Sequence, residues 1–487
     1  MSQIVGTQRD TRWFALVVLC AGMLMIILDG TIVNVALPVI QADLEFSQSG
    51  LAWVVNAYLI PFGGLLLLAG RTGDLIGRKR MFLSGLAVFT IASLLCGFAT
   101  SQEMLIGARF VQGVGGAMAA AVILGMIVTM FPEKGEQAKA IGVFSFVAAA
   151  GGSIGLLAGG VLTEAISWHW IFFVNVPIGV VAFLLAVRAV PGERGLGIRA
   201  GADVLGALLV TSGLMLGVYT IVKAADHGWG SAHTLWVGAG ALALLIGFVV
   251  RQAKSANPLL PLRILASRNV AGANLIQVLM VAGMFGMFFL GALYLERVLG
   301  YEPLQIGLGF LPVAVGIGAL SLGLSARVNA RFGERNVLIF ALGLIAVGLA
   351  WLTRAPVDAS YLVDFMPSTV LMGVGAGLGF PAMMTLAMSD ATKDDSGVAS
   401  GLVNTTQQVG GALGLAVLAT LSASRTNDLL GQGEVAVEAM TSGYRLAFGV
   451  GAVLVTVAIV IAVTVLRQRT PEREEEFVPA RVGVEVS

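Results

Sequence analysis

Charge is what this sequence has least of. Only 12% of its 487 residues are Asp, Glu, Lys or Arg, against about 25% in an ordinary soluble domain. A chain of this size could not be wetted all round with so few, which excludes a soluble multidomain protein. The charges nearly cancel to a net +1, so no basic face is available for nucleic acid. Cysteine is scarce too. Cys20 and Cys96 both lie in apolar runs, which excludes a disulfide framework and a thiolate metal site. The three histidines, His169, His227 and His233, form no HExxH pair, and neither a metal nor a cofactor is expected. What is abundant is apolar surface: 57% of residues are hydrophobic and the mean hydropathy is +0.91. The 64 glycines are roughly twice the usual share, as close helix packing in lipid requires. Arginine outnumbers lysine 23 to 6, in keeping with a GC-rich bacterial genome. This is an integral membrane protein.

Apolar runs of about 17–25 residues predict membrane-crossing helices. Fourteen are expected, at residues 14–37, 51–70, 81–99, 104–129, 140–162, 171–188, 204–222, 234–250, 270–293, 304–325, 336–353, 366–388, 398–421 and 443–466. The runs are too long and continuous for barrel strands, and the first is too long for a cleaved signal peptide. An even count puts both termini on one side. Of the 29 basic residues, 23 fall on that side, five on the other (Lys223, Arg297, Arg354, Arg425, Arg445), and Arg109 inside a span. The positive-inside rule therefore predicts cytoplasmic termini. The tail from Arg467, with its EREEEF run, has too little apolar content to fold alone.

Three motifs recur in order. GDLIGRK near Gly77 resembles ARFGER near Gly333, GVGGAMA from Gly113 resembles GVGAGLG from Gly373, and GGSIGL from Gly151 resembles GGALGL from Gly410. The common offset of about 260 residues marks an internal repeat. Each unit holds six spans, leaving the seventh and eighth as an insert. The expected units are a six-helix bundle over 1–190, two inserted helices with their loops over 191–265, a second six-helix bundle over 266–466, and a disordered cytoplasmic tail over 467–487.

Asp29 is the one acidic residue well inside a span. It lies about 24 Å along the first helix from Trp13, at a rise of about 1.5 Å per residue. A carboxylate there costs at least about 2.5–3.5 kcal/mol on insertion scales, which makes it a functional candidate; the alternative is an Asp that only packs helices. Arg109 sits at comparable depth, so the two could pair if their helices are neighbours. Otherwise Arg109 ties helix carbonyls together. Asn34, Asn56, Tyr58 and Gln112 are polar groups at span depth and candidates for a wet substrate pathway. GMFGMFFL at 283–290, with Met383 and Met384, could give adaptable apolar walls or simply face lipid. The turn GRTGDLIGRKR, Gly70 to Arg80, has glycines at Gly70 and Gly77 for tight backbone and cations for an anionic leaflet. Asp74 is surplus to that need. With Arg78 beside it, it reads as a conformational latch or as part of a solvated turn.

At this point the residues carry a family likeness. GRTGDLIGRKR resembles the signature loop of the major facilitator superfamily, with Gly70, Asp74, Gly77, Arg78 and Lys79 in register. LDGTIVNVALP (Leu28–Pro38), WVVNAYLI (Trp53–Ile60), ARFVQGVGGA (Ala108–Ala117), SWHWIFFVNVPIG (Ser167–Gly179) and GLVNTTQQVGGALG (Gly401–Gly414) resemble its fourteen-span drug:proton antiporter branch. The likeness runs from about residue 14 to 466. It implies an all-helical carrier of two six-helix bundles plus two inserted helices, exporting small molecules against inward proton flow by alternating access. It also implies that Asp29 couples protons, that Arg109 is its relay, and that Asp74 braces the outward-open state against the start of span 13 near Ser396 and Gly397. Two departures stand out. Leu156 occupies the place of the span-5 antiporter proline, and spans 9–14 lack a central acid, which disfavours dicationic substrates. Glu296, at the end of span 9, reads as a wetted boundary residue.

Other classes fit less well. GGSIG at 151–155 matches a nucleophile-elbow pattern but falls within a helical span, and Asp29 has no second buried carboxylate, so an enzyme is not expected. No filter loop or ring of charge suggests a channel. The expectation is a proton-coupled exporter of amphipathic drugs, antibiotics or dyes, or else a dedicated exporter of one metabolite, antibiotic or lipid. Its partners would be the small-molecule substrate, protons and membrane lipids. It would act as a monomer, multi-pass in the bacterial cytoplasmic membrane.

Overall fold

A computed structural model describes residues 2–193, 195, 197, 202–255, 258–388 and 396–467. All regular structure among them is helical: α1 (Ser2–Asp43), α2 (Gln48–Ile76), α3 (Arg78–Gly97), α4 (Gln102–Met130), α5 (Lys134–Ala165), α6 (Trp170–Phe173) and α7 (Asn175–Ala189) come first. Then follow α8 (Val204–His227) and α9 (Ala232–Lys254). Last are α10 (Arg268–Arg297), α11 (Pro303–Ala319), α12 (Ser325–Phe332), α13 (Glu334–Leu352), α14 (Met366–Met388), α15 (Ser396–Gly431) and α16 (Ala436–Thr464). Helix starts are set by side-chain caps. Ser47, Ser101, Ser231 and Ser267 accept the amides of Gly50, Met104, Thr234 and Val270, worth about 1 kcal/mol each.

Twelve described helices are long and apolar enough to cross a membrane. The other two expected spans are represented by shorter apolar stretches, Ile154–Ala165 within α5 and Pro303–Ala319. The second is cut short by a wide helical turn at Leu320–Leu324 that separates α11 from α12. The sixth expected span is likewise interrupted at Val174, between α6 and α7. Apart from Arg467, the expected tail lies outside the described residues. Large apolar side chains such as Val17, Ile91, Leu184 and Leu362 are exposed around the molecule, and Trp236 is 79% exposed. In water so wide an apolar surface would aggregate; in a bilayer it meets lipid.

Glycine brings the helices together, and it does so twice in the same way. A Cβ at Gly113 would strike the carbonyl of Tyr58 on α2, and one at Gly115 would lie 2.5 Å from the Phe89 amide on α3. At Gly373 it would lie 2.8 Å from the Pro312 carbonyl on α11, and at Gly375 2.7 Å from the Ala341 carbonyl on α13. Thus α4 is wedged between α2 and α3 as α14 is between α11 and α13. The turns repeat as well: Gly77 (φ +104°) joins α2 to α3, and Gly333 (φ +79°) joins α12 to α13.

The two sets of helices meet along two seams. On one, Gly63 of α2 packs against Gln408, while Thr405 of α15 donates to the Gly63 carbonyl at 3.1 Å. On the other, Gly160 of α5 packs on Leu304, and Gly307 of α11 on the Leu156 carbonyl. They are pinned where α1 and α10 end, by Arg297 donating to Gln41 at 2.6 Å, and by Glu164 accepting the Leu304 amide at 3.1 Å. The helix α8 lies across the first seam, touching α2 through Thr211 and Gly64 and α15 through a bond from Thr420 to the Ile221 carbonyl. A crevice of about 620 Å³ with mostly apolar walls, including Trp53, Phe110, Leu208 and Met215, opens between α8, α2 and α4.

Candidate functional site

Asp29 and Arg109 are both fully buried, and they are paired. The partnership joins α1 to α4 directly, side chain to side chain. The Arg109 Nη1 reaches Asp29 Oδ2 and also donates to Gln112 Oε1 at 2.7 Å. The other carboxylate oxygen, Oδ1, accepts from Gln112 Nε2 at 2.7 Å and from Asn175 Nδ2 at 2.9 Å. Gln112 Nε2 also donates to Ser93 Oγ at 2.7 Å, and Ser93 in turn donates to the Phe89 carbonyl. Arg109 Nε donates to the Val54 carbonyl at 3.0 Å, and its guanidinium carbon lies 4.3 Å from the centre of the Tyr58 ring. Phe172 supplies a second ring at 5.7 Å. Six helices therefore converge on one buried ion pair: α1, α2, α3, α4, α6 and α7. Burying two charges costs several kcal/mol each unless geometry and added hydrogen bonds compensate, and this network provides both.

Two atoms in it lack partners. Arg109 Nη2 and Asn175 Oδ1 are buried without a hydrogen bond. The free oxygen on Asn175 matters chemically, because it is an acceptor on the very amide that holds Asp29. A protonated Asp29 would have an O–H to donate, and a flip of the Asn175 amide, which now presents Nδ2 to the carboxylate, would turn an acceptor toward it.

The other expected pathway residues separate. Gln112 is a member of the ion-pair network, and Tyr58 lies against its arginine, with its O–H 3.5 Å from the Ile26 carbonyl. Asn34 turns back on its own helix, donating to the carbonyls of Gly30 and Thr31. Asn56 is fully buried with neither amide atom partnered. Ser93 and Asn175 were not among the expected residues. Asn175 lies in the quoted SWHWIFFVNVPIG motif, and an amide just before a proline in an apolar run was a usable signal. Ser93 gave none, since a serine in a span usually bonds only its own helix. Of the apolar walls, Met384 borders a cavity, whereas Met383, Met284 and Met287 are core.

At the Gly77 turn, Asp74 pairs with Arg78 at 3.0 Å, and Arg78 donates to the Gly125 carbonyl of α4. Gly77 is required there by its positive φ and by the Glu193 carbonyl, 2.8 Å from an added Cβ. Gly70 is not so constrained: the nearest atom to an added Cβ is 3.9 Å away. The side chains near Ser396 and Gly397, the expected partners of Asp74, lie outside the described residues. Glu296 keeps about a third of its side chain exposed, in keeping with a boundary residue, while its Oε2 turns inward, 3.7 Å from Arg297 Nε. GGSIG lies inside helix α5, which rules out a strand-to-helix nucleophile elbow there. Leu156 is buried at the α5–α11 seam. No cluster of three or more His, Cys, Asp or Glu forms among the described residues.

The sequence profile of the Major Facilitator Superfamily matches residues 19–415. The chain belongs to that superfamily. It is therefore a transporter and not an enzyme. It is similar to the puromycin resistance protein of Streptomyces alboniger, 39% identical over 95% of this chain and 93% of that one. It is also similar to the cephamycin export protein of Amycolatopsis lactamdurans, 38% identical over 86% and 87% of the two chains. The tetracenomycin C resistance and export protein of Streptomyces glaucescens is 32% identical over 86% and 78%. Among solved structures, a bacterial homologue of the human lysosomal transporter Spinster superposes with a TM-score of 0.67 at 17% identity, over 95% of this chain and 99% of that one. That likeness is one of fold.

Proposed function

We propose that this transporter exports antibiotics or similar amphipathic small molecules in exchange for protons, with Asp29 as the coupling carboxylate. The observation that carries the reading is the sealed ion pair of Asp29 and Arg109 in the middle of a membrane-spanning bundle. When Asp29 takes up a proton, its attraction for Arg109 is lost. Arg109 keeps the Val54 carbonyl, Gln112 Oε1 and the Tyr58 ring, so the buried cation is not stranded. The new O–H is received by Asn175 Oδ1 once that amide flips away from its present Nδ2 contact. Because the pair is fully buried in this conformation, proton exchange waits on a state that opens the network to water, and that requirement ties protonation to alternating access. Asn34, Asn56, Tyr58 and Gln112 border the substrate and proton pathway. Gly70, Asp74, Gly77 and Arg78 act as a latch that engages the start of α15 in the opposite state.

The architecture proposed with it has fourteen spans: six over 1–190, two inserted over 191–265, and six over 266–466. Both termini then lie in the cytoplasm of a bacterium and the protein in its inner membrane, as a monomer among lipids. On this orientation, the contacts from Gln41 to Arg297 and from Glu164 to Leu304 close the outer end. A narrower reading keeps the fold and limits the cargo to one compound. It is favoured by the names of the relatives, each tied to a single antibiotic. Reconstitution into liposomes with an imposed pH step tests both, using puromycin, a cephamycin, tetracenomycin C and ethidium as cargo. Proton-driven accumulation that a protonophore abolishes, together with saturable counterflow, is expected. Accumulation of several compounds supports broad efflux, and accumulation of one supports a dedicated exporter. Passage that neither saturates nor responds to the pH step would refute proton-coupled export.

A further inference from the structure

A cavity of about 260 Å³ lies between α10, α14 and α15, bordered by Gln277, Phe380, Met384, Val403, Asn404 and Gln407. Three of these six are carboxamides, and none carries a charge. Gln277 is only 2% exposed, and its Oε1 has no hydrogen-bond partner. A buried amide oxygen left without a donor is costly, so one that persists asks what supplies the donor. The walls around it are held in register. Thr406 donates to Asn274 Oδ1 at 2.9 Å, one turn below Gln277. Beyond the cavity, Gly410 packs on the Val278 carbonyl and Gly414 on Ala282. With α10 and α15 so fixed, the orphan oxygen cannot be satisfied by a small shift of either helix.

We infer that this cavity is a neutral hydrogen-bonding subsite for cargo, in which Gln277 Oε1 accepts an O–H or N–H from an uncharged, partly aromatic molecule. The inference rests on the export reading above and adds a chemical class to it. Phe380 offers a ring face or edge and Met384 a polarizable sulfur, both suited to an aromatic body. The volume falls below the usual range of about 300–1,000 Å³ for a whole drug-sized ligand, so the subsite takes one ring and its polar substituent. With no carboxylate on its walls, it gives a fixed cation nothing to pair with.

The test uses the full chain in lipid nanodiscs with two neutral probes, 2-(hydroxymethyl)anthraquinone and its methyl ether. They share the aromatic body and differ in one O–H. Equilibrium binding to the wild type is expected to favour the alcohol by about tenfold, the usual size of one hydrogen bond to a buried acceptor. Q277M keeps the side-chain length and removes the acceptor. It is expected to erase that preference while leaving the ether's affinity unchanged. A wild type that binds both probes alike, or neither, overturns the inference whatever the variant does; so does a preference that survives in Q277M, or equal weakening of both probes. Binding is measured without a pH gradient, so it stands apart from proton coupling. If the wild type shows the preference but accumulates neither probe under a pH step, the export reading fails and the subsite remains.

Discussion

Asp29 was identifiable from sequence because an acid deep in an apolar run has few reasons to be there, and Arg109 because it is the cation at matching depth. Their partners were harder to read. Whether an amide meets a neighbour or its own backbone depends on its rotation about the helix axis, which one sequence does not reveal. Thus Gln112 joins the carboxylate, whereas Asn34, also on the expected pathway, bonds its own carbonyls. Two substitutions probe the network. Arg109→Lys keeps the charge but loses the planar fork that reaches Val54, Gln112 and Asp29 together; proton-driven transport is expected to fall at least about tenfold, with the protein still present in the membrane on immunoblot. Asn175→Leu removes both a donor to the carboxylate and the free acceptor. Transport measured across pH is expected to lose most of its pH dependence. A variant with the wild-type pH profile would show that Asn175 plays no part in proton handling.

At the level of elements, the repeat was legible because close packing demands glycine at fixed positions, and Gly113 and Gly373 hold equivalent places in the structure. Helix interruptions were only partly legible: Pro177 has no N–H for the Phe173 carbonyl and so marks the break at Val174, whereas the wide turn at Leu320–Leu324 carries no proline of its own. The glycine argument makes a paired prediction. Gly115→Ala puts a methyl group 2.5 Å from the Phe89 amide and is expected to cost about 1–3 kcal/mol, seen as a lower melting temperature in detergent. Gly107→Ala on the same helix meets nothing within 4 Å and is expected to be neutral or slightly stabilising. The pair α8 and α9 is clasped by Asp203, which caps α8 through the Gly206 amide and accepts from Arg251 and Gln252 of α9. Burial acts to raise its proton affinity, but those hydrogen bonds and the Arg251 charge outweigh it and hold the carboxyl below the ordinary aspartate range. Its contribution is therefore complete above the ordinary value near about 3.9 and is lost as pH falls through the lower folded value. Acid unfolding followed by tryptophan fluorescence should show this limb in the wild type and not in Asp203→Asn.

For the whole molecule, the proposed alternating access requires the contacts from Gln41 to Arg297 and from Glu164 to Leu304 to come apart. A Gln41→Cys/Arg297→Cys pair bridged by a short bis-methanethiosulfonate reagent, long enough to span the two side chains that meet there, should hold this end shut, stopping transport until a reductant is added. Unimpaired transport by the cross-linked protein would mean that this end need not open. The fourteen-span count belongs to this scale as well, because it rests on summing apolar runs and basic loops along the entire chain. The most direct test of the account compares wild type with Asp29→Asn in liposomes, measuring accumulation under an imposed pH step and exchange without one. The expected result is that the variant no longer accumulates cargo under the pH step yet still exchanges it across the membrane. Full pH-driven accumulation by Asp29→Asn would contradict the assignment of the coupling proton to this carboxylate.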